Sequence, residues 1–496
     1  MNARPLSELA AGLVPVPAAV MVSDVTLDSR AATPGALFLG LRGRTHHGLE
    51  FAAEAVARGA RAVLYEPGPQ VRAAPALGAD VFVAAVPALS ERAGLIADRF
   101  FGSPSQQLTV AGITGTNGKT TCAWLLAQAL NHCGRPAGYI GTLGMGMPPA
   151  LAPTPHTTAD AVTVQRQLAA LRGQGAVCVG MEVSSHALDQ SRVSGVRFNT
   201  AAFTNLTRDH LDYHGTMDAY GRAKAQLFAW PGLAHRIVNI DDAFGADLAA
   251  RESQVPLIVT TRAAAAPRGA QFVRASAVTP DPGGLFIEVE SSFGRADLPM
   301  RLMGEFNVDN ALTVLAVLLA WGIPLVEAAP ALSRCRAASG RMEMFGGRGR
   351  TPLAIVDYAH SPDALAKALR AARLHCRGQL RVVFGCGGDR DAGKRPLMGQ
   401  VAAELADDII LTDDNPRTED PARIVAGIVA GIAHRAPLLI EHDRARAIRL
   451  ALQRSVLDDV VLIAGKGHED YQIQGTTRRS FRDQAVVAEE LARMPA

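Results

Sequence analysis

Short apolar runs alternate with longer amphipathic or alanine-rich stretches along most of the chain. The runs at 22–27, 36–41, 62–65 and 80–83 have strand length and β-forming residues, while 51–58 and 89–100 carry helical spacing. They predict a small α/β unit. A Gly102-Ser-Pro104 cluster interrupts the pattern and marks a linker. Beyond it, the runs at 108–111, 176–183, 200–206 and 236–240 are nearly continuous in apolar residues, as parallel strands covered on both faces must be. Between 270 and 302 residues alternate around Pro280-Asp-Pro-Gly-Gly284, predicting antiparallel strands appended to that sheet. After Gly340 the pattern restarts, with strands at 353–357, 380–384, 408–412 and 459–464 and helices at 364–374 and 398–405. The expectation is an α/β protein of three domains. Residues 1–98 form a small N-terminal α/β domain, 99–337 a central doubly wound, mostly parallel sheet, and 338–496 a C-terminal Rossmann-like domain.

Composition narrows the picture. A chain of 496 residues exceeds what one core organises. Its 48% apolar and 20% charged content is that of a globular protein, and a net charge of +3 is too small to imply a nucleic-acid partner. Six cysteines lack Cys-x-x-Cys spacing, which fits a reducing cytoplasm. Glu8 and early prolines interrupt any secretion signal. The apolar stretch 311–326 is broken by Thr313, Gly322 and Pro324 and falls short of the ~20 residues of a membrane span, so it reads as a core helix.

The chemistry begins at Gly112-Ile-Thr-Gly-Thr-Asn-Gly-Lys-Thr-Thr121, which follows an apolar strand and opens a helix. Glycines let backbone N–H groups converge on one anion, Lys119 adds a compact positive charge, and the Thr120 hydroxyl can hold magnesium. A nucleoside triphosphate is the expected ligand. Ile113 stands where the strict pattern has glycine, so the loop is a variant of the commonest type. Glu182, in Met181-Glu-Val-Ser-Ser-His186, is expected at a strand end where its carboxylate can meet a metal at Thr120. The polar cluster Thr204-Asn-Leu-Thr-Arg-Asp-His-Leu-Asp-Tyr-His-Gly215 and Lys224 follow another apolar strand.

Together with Gly340-Arg-Met-Glu343 and Asp357-Tyr-Ala-His-Ser-Pro362, these motifs resemble the ordered signatures of the Mur ligases over the whole chain. The family uses ATP and magnesium to activate a carboxylate of a nucleotide-linked cell-wall precursor and joins an amino acid to it. The resemblance implies that Gly115, Thr116, Asn117, Gly118, Lys119, Thr120 and Thr121 cradle ATP, with Asn310, Arg341, Asp357 and His360 as further nucleotide contacts. It also implies that Thr120 and Glu182 ligate one magnesium and that His210 and a carbamylated Lys224 hold a second. Lys119, Lys224, His210 and Glu182 are the implied catalytic set. Carbamylation turns a cation that would repel the metal into an anion that can bind it.

The segment Leu27-Asp-Ser-Arg30 resembles the family's UDP contact, placing Leu27 and Ser29 against the precursor, with Thr157, Thr158, Ser184, Gln190 and Arg192 as further contacts. In the third domain Asp414-Asn-Pro-Arg417 resembles the signature of members that add meso-diaminopimelate. That amino acid ends in an ammonium and a carboxylate, whereas lysine ends in an ammonium alone, and a guanidinium can grip the extra carboxylate through two hydrogen bonds. Arg390, Asp414, Asn415, Pro416, Arg417, Gly465 and Glu469 are the implied diaminopimelate site, with Glu469 receiving the distal ammonium. The rivals are a lysine-adding relative, disfavoured by Arg417, a ligase like folylpolyglutamate synthase, disfavoured by 27–30, and a non-catalytic nucleotide-gated scaffold. A cytoplasmic monomer acting on small molecules is expected.

Overall fold

In the computed structural model, which describes residues 3–43, 46–69, 71, 76–263, 269–281, 283–347, 351–432 and 438–494, the apolar runs form parallel strands. By its internal contacts the chain divides into two compact units. One is formed by the chain up to Thr260 with Ala316–Gly322, the other by Phe272–Leu315 and the chain from Ile323 onward.

The first unit holds a four-stranded parallel sheet, Asp24–Thr26, Ala36–Gly40, Ala62–Tyr65 and Phe82–Ala85 in that order. The predicted strand at 22–27 is split, because Ser23 N–H bonds to Gly35 O while Met21–Val22 pairs with Arg4–Pro5. Helix Leu89–Phe100 buries Leu89, Ala93, Ile96 and Ala97 against this sheet, in a core that also takes in Ala161 and Val162 of helix Ala161–Gly173. Arg166 of that helix donates to Asp24 Oδ1 at 2.9 Å and to Val25 O at 2.8 Å.

The larger sheet of the unit runs Ala137–Gly141, Cys178–Glu182, Thr109–Thr114, Thr200–Phe203, His235–Asn239, Leu257–Thr261, all parallel. An antiparallel edge is added by Gly144–Met147 and Ala150–Ala152. Strand Thr109–Thr114 is flanked by Cys178–Glu182 on one side and Thr200–Phe203 on the other. The loops after all three therefore open at one carboxyl edge, where doubly wound sheets bind ligands.

In the second unit Gln271–Asp281, Gly284–Ser291 and Gly294–Met300 form the expected antiparallel ladder, with a bulge at Ala275/Ala277. The six-stranded sheet Glu343–Gly346, Leu353–Asp357, Val460–Ala464, Leu380–Phe384, Asp408–Leu411, Leu438–Ile440 is parallel apart from its first strand. Strand residues alternate between two cores. Leu353, Ile355, Val382, Phe384 and Leu462 enter one, and Ala354, Val356, Val383, Val461 and Ile463 the other, so both faces are buried under helices. Helix Lys394–Leu405 starts before the predicted residue 398, because a proline, Pro396, fits in a first turn where its missing N–H costs nothing. Among the described residues no helix is long and apolar enough to cross a membrane.

One close approach fixes helix Leu89–Phe100 against the rest of its unit. A Cβ on Gly94 would lie 1.8 Å from the Ser194 carbonyl oxygen. Backbone cannot yield there as a flexible side chain would, so Gly94→Ala should lower the stability of the unit by about 3 kcal/mol, read as a fall in urea midpoint. An unchanged midpoint would show that this contact does not hold the helix.

Candidate active site

Strand Thr109–Thr114 ends in a loop that passes directly into helix Lys119–His132. Gly115 has φ +148°, and a Cβ there would lie 1.9 Å from Thr204 Oγ1, so glycine is required both by conformation and by space. The neighbouring strand end clamps the loop. Thr116 N–H donates to Asn205 O at 2.8 Å, Asn117 N–H to Asn205 Oδ1 at 3.0 Å, and Thr204 Oγ1 to Asn117 O at 2.6 Å. Gly118, at φ +87°, precedes the helix, and Lys119, Thr120 and Thr121 form its first turn, where unpaired N–H groups point outward. The Lys119 ammonium lies back over the loop, donating to Gly115 O at 2.9 Å and Thr116 O at 2.8 Å. Desolvation pulls its pKa below the usual lysine value.

Glu182 is the last residue of strand Cys178–Glu182 and is 0% exposed. Its carboxylate accepts from Tyr139 OH at 2.5 Å, Thr142 N–H at 2.8 Å and Thr120 Oγ1 at 2.8 Å. Thr142 Oγ1 adds a longer bond of 3.3 Å. None of these donors is cationic. A buried carboxylate held only by neutral groups beside two threonine hydroxyls is a set of hard oxygen donors short of one cation, which fits magnesium.

Lys224, on helix Met217–Ala225, is 1% exposed. Its Nζ donates to the same Gly115 oxygen at 2.7 Å and lies 4.3 Å from the centre of the Tyr220 ring. Burial, reinforced by the charge of Lys119, brings its pKa down to about 6. The amine is therefore mainly neutral at pH 7, the form that adds carbon dioxide. His210 has φ +52° and an exposed ring 4.8 Å from His186 and 6.0 Å from Tyr220. Among the described residues no group of three or more histidine, cysteine or acidic side chains converges as a metal cluster.

The implied precursor residues fall into two places in this unit. Leu27 and Ser29 line a cleft of about 860 Å3 together with Asp24, Glu54, Asp160 and Arg166. Ser29 Oγ donates to Glu54 Oε2 at 2.6 Å. The others gather beside Glu182. Thr158 Oγ1 donates to Glu182 O at 2.9 Å and accepts from Ser184 N–H at 3.2 Å, so it buttresses the strand end. Ser184 caps helix Ser185–Asp189. Thr157 Oγ1 meets Thr142 Oγ1 at 3.0 Å, and Arg192 donates to Gln190 Oε1 through Nε at 2.9 Å and to Thr158 O at 3.2 Å.

Asn310, Arg341, Asp357 and His360 belong to the second unit. Asn310 is buried inside helix Phe306–Ala320 and donates to Asn307 Oδ1 at 2.8 Å. Asp357 ends its strand, with its two oxygens accepting Met342 N–H at 2.8 Å and Ala359 N–H at 2.9 Å, while burial outweighs these bonds and raises its pKa. The Arg341 guanidinium sits 5.3 Å from the Tyr358 ring centre, and its Nε is buried without a partner among the described residues. His360 Nδ1 meets Tyr358 O at 2.9 Å, and Lys394 Nζ donates to His360 O at 2.8 Å.

The remaining positions of this unit do converge. Arg417 Nη1 donates to Gly388 O at 2.8 Å, and Gly388 N–H donates to Asn415 O at 3.0 Å. Arg390 and Arg417 flank Gly387, where a Cβ would sit 2.9 Å from Arg417 Nη1 and 3.7 Å from Arg390 Cγ. Pro416 O packs on Gly388, where a Cβ would lie 1.9 Å from it, and Asp414 is buried beneath Gly465, with a pKa raised by desolvation. Asn415 Nδ2 donates to Glu469 Oε2 at 2.8 Å. Hairpin Tyr471–Gln474/Thr477–Ser480 ties down the same loop, since Arg417 N–H donates to Ile473 O at 3.1 Å and Ile473 N–H to Asn415 Oδ1 at 2.9 Å.

Several residues of this architecture carry no assignment from sequence. Tyr139 and Thr142 hold Glu182, and Lys466 joins Asn415 to Glu469. Arg444 and Asp483 form a wholly buried bidentate pair at 2.7 Å in both bonds. A tyrosine inside the apolar run Ala137–Gly141 and a lysine between Gly465 and Gly467 were the available signals, since each buried polar tip needs a partner.

Three family models match the chain: Mur ligase family, catalytic domain, over residues 22–100; Mur ligase middle domain over 113–318; and Mur ligase, glutamate ligase domain, over 340–467. The chain is 48% identical to UDP-N-acetylmuramoyl-L-alanyl-D-glutamate--2,6-diaminopimelate ligase of Alkalilimnicola ehrlichii, over 95% of each chain. It is 49% identical to the protein of that name in Xanthomonas campestris, over 95% of this chain and 94% of the relative. A solved structure titled with the same enzyme name aligns with TM-score 0.76 and 34% identity over 99% of each chain. With the glycine loop, the buried carboxylate and the neutral lysine in place, the chain belongs to the Mur ligase family.

Proposed function

We propose that this chain is an ATP-dependent ligase joining meso-diaminopimelate to the D-glutamate carboxylate of UDP-N-acetylmuramoyl-L-alanyl-D-glutamate, a step of peptidoglycan synthesis, as a cytoplasmic monomer. The observation that carries the reading is the meeting of Lys119 and the neutral Lys224 on one carbonyl, Gly115 O, beside a helix start whose Thr120 reaches the buried Glu182. In this reading residues 1–98 bind the UDP end, 99–337 the ATP, and 338–496 the incoming amino acid.

A carboxylate is a poor electrophile, because its charge repels an amine and oxide does not leave. Transfer of the γ-phosphoryl group onto the carboxylate oxygen gives an acyl phosphate and ADP. The amine then attacks the acyl carbon, the C–O bond to phosphate breaks, and the amine proton is lost to leave the amide. Backbone N–H groups at 115–121 and the Lys119 ammonium orient the triphosphate and offset its developing charge. Thr120 and Glu182, with His210 and carbamylated Lys224, would hold magnesium, which supplies further charge neutralisation at the transferring group. Asn310, Arg341, Asp357 and His360 complete the proposed nucleotide contacts. Leu27, Ser29, Thr157, Thr158, Ser184, Gln190 and Arg192 are the proposed precursor contacts. Arg390 and Arg417 present cations to the distal carboxylate and Glu469 an anion to the distal ammonium, with Asp414, Asn415, Pro416 and Gly465 shaping that pocket.

Offered separately with the UDP precursor and ATP, diaminopimelate should support phosphate release at least about 100-fold faster than lysine or ornithine, since those amines leave the arginine charges unanswered. Equal turnover with lysine would transfer the chain to the lysine-adding relatives. Release of phosphate without any amine would overturn ligation.

Lys224→Ala should cut kcat by about 1,000-fold. With a pKa near 6, the wild-type amine is neutral above that pH and protonated below it. In the native protein under 13C-labelled carbon dioxide, a carbamate resonance should therefore be present at pH 7.5 to 8 (chosen about two units above that value), absent from the variant, and fade together with activity as pH falls through about 6. Near-normal turnover by the variant, or wild type lacking the resonance while fully active, would remove the carbamate from the mechanism.

A further inference from the structure

Lys466 belongs to a closed ring of polar contacts that the proposed chemistry has not used. It follows strand Val460–Ala464 by two residues and is 0% exposed. Its Nζ donates to Glu469 Oε2 at 2.9 Å and to Asn415 Oδ1 at 3.1 Å, and Asn415 Nδ2 returns to the same Glu469 oxygen at 2.8 Å. The ring has consequences for each member. Asn415 cannot flip, because its Oδ1 also accepts Ile473 N–H at 2.9 Å. Both donors to Glu469 fall on Oε2, while Oε1 has no hydrogen bond to the described residues, and the Glu469 side chain keeps 18% exposure. A lysine whose task was only to neutralise a buried acid would not need a second bond that fixes the acid's other partner. Here one carboxylate oxygen is immobilised by a charge-assisted bond and the other is left at the surface of the pocket.

We propose that Lys466 is a positioning residue that sets amine specificity, locking Glu469 through Oε2 and Asn415 so that Oε1 is presented to the distal ammonium of the incoming diamino acid. This rests on the diaminopimelate reading above. Without Lys466, Glu469 loses its orientation, and the selectivity it confers on the distal ammonium goes with it.

The test compares two amines in the full-length enzyme: meso-diaminopimelate, and 2-aminopimelate, which retains the distal carboxylate and lacks the distal ammonium. Lys466→Met should raise KM for diaminopimelate by about 10- to 100-fold, leaving KM for 2-aminopimelate, ATP and the UDP precursor within about twofold. Lys466→Arg, which can still span both oxygens, should recover much of the preference. KM is read on whatever fraction folds, and if Lys466→Met is not recovered, Lys466→Gln carries the same expectation. Parallel losses for both amines, or an unchanged preference for diaminopimelate, would overturn the role of Lys466. Wild type that ignores diaminopimelate altogether would instead sink the functional reading on which it rests.

Discussion

The first unit depends on how it houses one carboxylate. Glu182 is removed from water at the end of a central strand, and an isolated charge in that position would cost far more than the fold can supply. Tyr139 from the adjacent strand, Thr142 from the turn after it and Thr120 from the first turn of the phosphate helix each donate to it. Three elements are thereby brought to one point. Because every donor is neutral, the charge remains available to a cation, and the bonds that settle the carboxylate also aim it.

The opposite sign is handled by the same physics. Lys119 and Lys224 share Gly115 O as an acceptor, and two ammonium groups in so dry a place cannot both keep their charge comfortably. Burial lowers the pKa of both amines, and that of Lys224 comes down to about 6, which makes it a nucleophile toward carbon dioxide rather than a repellent for metal. In the second unit the arrangement is different: Lys466 Nζ donates to Glu469 Oε2 at 2.9 Å, with Asn415 bridging the two. One unit presents a carboxylate hydrogen-bonded by neutral donors and the other a carboxylate already half engaged by an ammonium, which suits a metal in the first case and an organic ammonium in the second.

Much of this was readable along the chain because strand ends in a parallel sheet have a known use. The apolar run before Glu182 placed it at the carboxyl edge, and glycine spacing placed Lys119 and Thr120 beside it. Strand 353–357, strand 380–384 and helix 89–100 agree with the structure to the residue, since each is bounded by clear polar or turn signals. What could not be read were partners distant in sequence. Tyr139 lies 43 positions from Glu182 and looks like any β-forming residue of a buried strand. Hairpin Tyr471–Gln474/Thr477–Ser480 has a wholly exposed second strand and so lacks an apolar rhythm, yet it secures Asn415 and Arg417. The shared core of helix Leu89–Phe100 with Ala161 and Val162 likewise escapes a reading that places a linker at 102–104, because linkers are recognised by composition and cores by contact.

The central claim is that a triphosphate's terminal group is passed to an acid before nitrogen arrives, and oxygen bookkeeping tests it most directly. With 18O in the D-glutamate carboxylate of the precursor, the account predicts that each turnover moves one labelled oxygen into inorganic phosphate. Label absent from phosphate, or found in a released AMP, would contradict it.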